Sequence, residues 1–271
     1  MLPVIPERRA KSAFTRVFDA LWPDPESSAA GSVRAAQDNF SSLRHKAAYL
    51  MLVQIYEVGS SEEARALGEL GVDHIGVLVG DGAFPREQSV QRARLIFSAI
   101  PPASKGVALL LSADIRLLER MISELTPAIV HLGASTDLLT PSAVLHLRQR
   151  CGMLTVMRSI PVQNDESVAI ARSYDGVADM LLLDSHRPGD IQIGALGIVH
   201  DWDIDRKIVE TVRIPIIIAG GLGPDNVDEA IRTVRPAGVD SKTKTDRDDE
   251  SHAKDLEKVR RFVARAKSLR D

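Results

Sequence analysis

The chain reads as α/β, a (β/α)₈ barrel with an N-terminal helical extension. Three observations predict this. Eight short Val/Ile/Leu-rich runs alternate strictly with amphipathic, helix-like segments over 48–271, and a crossover that carries a helix makes consecutive strands parallel. The length of 271 residues suits one such barrel. Hydrophobic residues make up 44% but aromatics only 4%. A core built from aliphatic side chains is what buried parallel strands require.

Residues 1–47 come first and differ from the rest. Phe14, Val17, Phe18 and Leu21 recur at helical spacing, so an amphipathic helix is expected from about Glu7 to Leu21. Pro23 and Pro25 end it, and a Ser/Ala/Gly-rich stretch follows. The helix either packs against the barrel or serves as a dimerisation arm.

The expected strands lie at 48–58, 74–79, 106–112, 128–134, 154–160, 179–184, 214–220 and 237–242. Helical spacing is plainest at 60–70, 89–100, 114–125, 224–234 and in a charged closing segment, 255–269. A doubly wound sheet would also alternate, but no GxGxxG pattern follows the first strand. Eight strands also match the number that closes a barrel.

The totals narrow the partners. A net charge of −3 gives no electrostatic reason to expect nucleic acid or a membrane surface. A single cysteine, Cys151, forbids an internal disulfide and a thiolate zinc site. The seven histidines show neither HxH nor HExxH spacing, so no metal and no other cofactor is expected. No run is long and apolar enough for a signal peptide or a membrane span, and a cytoplasmic location is expected. Monomer and homodimer both remain open.

In this fold the chemistry sits where strands end and βα loops begin. The strand ends offer Tyr56, Glu57, His131, Arg158, Asp184, Asp240 and Lys242. Any one could be structural, but the set is more polar than a core requires. In 214–231 an apolar strand ends in Gly220-Gly221 and a helix begins near Pro224-Asp225. Two glycines admit a ligand close to the backbone, and free amides before a helix favour an anion. The bland alternative is a tight turn capped by Asp225. Strand alternation over 238–245 puts Asp240, Lys242 and Lys244 on one face and Ser241, Thr243 and Thr245 on the other. The lysines would attract phosphate, or one would act as a Schiff-base nucleophile if desolvated. Otherwise they form a solvated loop balanced by Asp246, Asp248 and Asp249. Asp184, at a barrel rim, is a natural general acid or base. A long loop with Gly194 and Gly197 follows it.

Segments 218–231 (IAGGLGPDNVDEAI) and 236–246 (PAGVDSKTKTD) resemble the closing portion of the phosphoribosylanthranilate isomerase family. Segments 181–185 and 194–202, Pro85-Arg86, VHLG at 130–133 and Lys254-Asp255 are similar to other family motifs. The resemblance spans about 50–266 and is strongest in the last third. It implies an isomerase of tryptophan biosynthesis that rearranges a phosphoribosyl-amine, with an acid opening the sugar ring and a base taking the C2 proton. By position the acid is Asp184. The strand ends and loops themselves offer Gly197, Gly220, Gly221, Lys242 and Thr243 for phosphate, and Arg86, His131, Arg158 and Asp240 for the rest of the substrate. Lys242-Thr243-Lys244 stand where the family has SSG, and Gly133 where it has a histidine, so the family residues are not carried over there. The family base is a cysteine ending the first strand. Here VQIYEV (53–58) places Tyr56 at the cysteine, with Gln54 for a lysine and Glu57 for a glycine. Tyr56 or Glu57 is therefore the expected substitute, although an unperturbed phenol, with a pKa of about 10, is a poor base near neutrality. Three functions compete: the family reaction, a related sugar-phosphate epimerase or Lys242-dependent aldolase, and a phosphate-binding protein without catalysis.

Overall fold

A computed structural model describes residues 51–152, 154–185, 191, 193, 201–249 and 251–268. The helix expected near Glu7–Leu21, and Gly194 and Gly197, lie outside the described residues.

Eight parallel strands close into a barrel in sequence order. They are β1 Leu52–Ile55, β2 His74–Leu78, β3 Lys105–Leu110, β4 Ile129–Leu132, β5 Val156–Val162, β6 Met180–Ser185, β7 Ile216–Ile218 and β8 Gly238–Ser241. Closure comes from β1 pairing with β8, where Gln54 lies opposite Asp240. The crossovers carry α1 Ser61–Glu69, α2 Val90–Ser98, α3 Ile115–Leu125, α4 Pro141–Cys151, α5 Glu166–Ser173, α6 Trp202–Thr211 and α7 Val227–Val234, and α8 Leu256–Ser268 closes the chain. Among the described residues no helix is long and apolar enough to cross a membrane.

The period-2 alternation of each strand divides the apolar residues into two sets. Val107, Ile129, Met157, Met180, Leu182 and Ile217 fill the barrel interior. Their neighbours, among them Val53, Ile75, Val130, Leu181, Leu183 and Val239, face outward and pack beneath helix residues such as Leu67, Ile96, Leu118, Leu147 and Phe262. The helices start where the sequence supplies caps: Ser60 accepts from the Glu63 amide, Asp114 from Arg116 and Leu117, and Thr140 from Ala143 just ahead of Pro141.

Strand β5 begins and ends two residues later than the sequence suggests. That shift puts Arg158 in mid-strand rather than at the rim, with consequences for the site.

Candidate active site

A cleft of about 990 Å³, counted with its solvent-filled mouth, opens at the carboxyl ends of the strands. Asp184 and the Gly220-Gly221 turn, predicted from separate segments, line this one cleft together with Asp240 and Lys242. Register explains the meeting of the carboxylates. Leu183 pairs with Ile218 and Ile218 with Val239. Asp184 and Asp240, each one residue further on, therefore share a level with only β7 between them. Both point inward by alternation from outward Leu183 and Val239.

Asp184 is half-buried, and its Oδ1 accepts from the Ser185 amide at 2.7 Å. Asp240 lies deeper, 7% exposed. Burial first, then the negative charge of Asp184, pushes its carboxyl well above the usual range. Among the described residues no cation forms an ion pair with it. Its side-chain partner is the neutral amide of Gln54, whose Nε2 donates at 3.2 Å. Gln54 Oε1 is 3.1 Å from His74 Nδ1, so this imidazole nitrogen carries the proton and donates. Burial, with Lys105 adding to it, lowers the His74 pKa to about 3.

Tyr56 occupies the end of β1, but its chemistry is the reverse of a base. Burial, reinforced by Asp240, raises the phenol well above 10. The ring lies on Gly76, where a Cβ would fall 2.0 Å from Tyr56 Cδ1. The hydroxyl meets His131 Nδ1 at 2.5 Å, and His131 Nε2 meets Ser159 Oγ at 2.7 Å. Burial, then Arg158, lowers His131 to about 3. A neutral imidazole has one donor and one acceptor nitrogen, so the Tyr–His–Ser chain closes without charge in either tautomer.

Glu57 stands on the rim with φ +60, in the left-handed region that favours glycine. Its Oε1 pairs with Lys242 Nζ, and its Oε2 lies 2.9 Å from Arg86 Nη2. The carboxylate is thus the counter-ion of two cations, which disfavours it as the proton acceptor expected from the sequence. The same pairing disfavours Lys242 as a free-amine nucleophile, which must be neutral to attack.

Gly220 and Gly221 both have positive φ, 77 and 66. Among the described residues neither amide donates to a backbone carbonyl or side chain. The turn is shaped by Asn226, which sequence reasoning missed: its Nδ2 donates to Gly221 O at 3.2 Å and its Oδ1 accepts from Gly223 N at 2.8 Å. Asn226 is also the residue at the helix start, the signal that could have found it. Asp225, the expected cap, is exposed and pairs with Arg261.

Alternation on β8 holds through Lys242 and then stops. The strand ends at Ser241, and Thr243–Thr245 coil into a 3₁₀ turn. Thr243 and Lys244 therefore both reach the cleft, rather than opposite faces. Asp246 is no solvated counter-charge either. It is buried against Lys254, whose Nζ has a fully buried side chain and also approaches Lys242 O at 3.5 Å. This ion pair pins the turn that carries Lys242.

Arg158 is the clearest correction. It faces away from the cleft, fully buried between sheet and helices. Its Nη1 donates to Leu132 O at 2.7 Å, and the guanidinium lies 5.2 Å from the Tyr174 ring centroid. Ser159, its neighbour, takes the inward position. His131 and Arg86 do line the cleft.

Among the described residues no group of three or more His, Cys, Asp or Glu side chains is placed to hold a metal ion. Fold and mouth together define a (β/α)₈-barrel enzyme with two carboxylates and a double-glycine turn in one cleft. Residues 58–265 match the family model of N-(5'-phosphoribosyl)anthranilate isomerase, and the chain belongs to that family. The matched stretch opens just after Tyr56 and Glu57. Curated relatives include the N-(5'-phosphoribosyl)anthranilate isomerase of Methanocella arvoryzae, 34% identical over 211 residues, covering 78% of this chain and 95% of that protein. That of Haloferax volcanii is 33% identical over 222 residues, covering 80% and 94%. The solved isomerase of Pyrococcus furiosus superposes with a TM-score of 0.65 at 25% identity, covering 81% of this chain and all of that one.

Proposed function

We propose that the protein isomerises N-(5'-phosphoribosyl)anthranilate, the compound named in its relatives, with Asp184 and Asp240 as the acid–base pair. The observation that carries this reading is the register that sets both carboxylates at one level of the same cleft, beside the Gly220-Gly221 amides. Asp240 is deeply buried, its carboxyl raised by burial and by the charge of Asp184, while Asp184 is half-buried. Such unequal environments suit one carboxyl to hold a proton and the other to be charged.

The phosphate sits against the amides of Gly220 and Gly221, with Lys242 and Thr243 beside it. The proton that Asp240 retains is delivered through Asp184 to the ring oxygen, which leaves Asp240 ionised. The C1–O bond breaks, and the nitrogen lone pair forms the C1=N iminium. Asp240 then takes the C2 proton. The C–H electron pair becomes the C1=C2 double bond and the iminium is neutralised to the enamine. Loss of the C2 hydroxyl proton and protonation at C1 give the ketose. Each such proton transfer contributes typically about 10²–10⁴-fold. Tyr56 and His131 line the interior of the cleft, and Arg86 shares the Glu57 carboxylate with Lys242 at its rim.

Complementation tests this. Expression in a tryptophan auxotroph that lacks the isomerase restores growth, and Asp184→Asn abolishes the rescue. Failure of the soluble, folded wild-type protein to rescue or to turn over the substrate would refute the reading.

A further inference from the structure

Glu57 is a charged residue in a conformation that suits glycine, at the rim of the cleft, held by two cations from different parts of the barrel. Lys242 reaches it from the end of β8 and Arg86 from the loop after β2. Side chains of Glu57 and Lys242 are only 12% and 16% exposed, so water screens their attraction little. The Arg86 contact is the looser half. It is 37% exposed, and Glu57 Oε2 is buried without a well-aligned hydrogen bond although the cation is 2.9 Å away. Arg86 itself has φ +67. Two residues in the left-handed region are thus held around one contact, in the same cleft as the glycine turn.

We propose that Glu57 determines anion specificity: its carboxylate takes the place of a ligand anion between Lys242 and Arg86, and a substrate binds by displacing it. A ligand anion must separate Lys242 and Arg86 from the Glu57 carboxylate before it gains either cation, so free phosphate binds weakly. A phosphomonoester with a second anionic group can set one group on each cation and keeps further contacts in the cleft, so it displaces Glu57 more readily than free phosphate does.

The inference rests on the anion site proposed at Gly220-Gly221, and its readout is binding rather than turnover, so it can fail while the isomerase reading stands. Calorimetric titration with sodium phosphate at fixed ionic strength compares the full chain with Glu57→Gly, where φ +60 is relaxed, and with Glu57→Gln, which keeps the side-chain volume if the glycine variant folds poorly. Both variants should bind phosphate roughly tenfold or more tightly, the scale of one freed charge-assisted contact. Adding Lys242→Ala should cancel the gain. Equal or weaker affinity in folded variants would overturn the proposal and leave Glu57 a structural ion pair. No phosphate binding in any of the chains would remove the anion site itself.

Discussion

Replacing Tyr56 by phenylalanine deletes one oxygen and leaves the ring where it is, wedged on Gly76 with no cavity opened. The loss is the 2.5 Å contact with His131 Nδ1 and a long, weak contact to Met157 Sδ at 4.0 Å, while His131 keeps Ser159 at 2.7 Å. A buried polar atom left without its partner costs about 1–3 kcal/mol. The departing hydroxyl takes its own burial penalty with it, so the lower part of that range, about 1–2 kcal/mol, is expected. For a barrel of this size each kcal/mol moves the melting point by about 2–4 °C, which gives a fall of about 2–8 °C. Catalysis should respond differently. The phenol is held neutral by burial and is not the proton acceptor, so kcat should fall less than about tenfold, whereas deleting a general base removes about 10²–10⁴. Thermal melting by circular dichroism and steady-state kinetics from pH 5 to 9 read both effects. A loss of about 10³ in kcat with an intact melt, and disappearance of the basic limb of the pH profile, would return Tyr56 to the role of base.

Acid should destabilise the protein. At about pH 5 the unfolded chain protonates His74 and His131, ordinarily near 6.5, while the folded chain, with both near 3, does not. Asp240, its pKa raised, opposes this uptake in part. The two histidines outweigh it in number, so stability falls as pH drops from about 6 to 4.5. Urea unfolding at several pH values checks this, and a flat profile would show that the buried network does not titrate as described. Arg158→Met removes the donor to Leu132 O but nothing from the cleft. It should cost about 1–3 kcal/mol of stability by leaving that carbonyl unpaired, with KM within about twofold of wild type. A tenfold rise in KM would put Arg158 back in the substrate pocket.

The barrel was legible because its causes are local: apolar runs, capping residues and helical spacing lie within a dozen residues of what they build. The positions of the site were legible for the same reason, since strand ends are where a barrel exposes polar groups, and Asp184, Asp240, Lys242 and Gly220-Gly221 all arrive at the mouth. Facing was less secure. A two-residue shift in β5 leaves Arg158 in mid-strand, and inside a strand the next residue belongs to the opposite face, so Ser159 inherits the cleft. Charge state was not legible, because it is fixed between strands far apart in sequence. Tyr56 finds its partner 75 residues away at His131. Gln54 finds Asp240 186 residues away. The thiolate of the family pattern and the phenol of this chain occupy the same place on β1, yet the barrel sends them to different tasks. A side chain long enough to cross the interior is captured by His131 and buried, and in the proposed mechanism the proton chemistry falls to the carboxylates that β6 and β8 bring to one level.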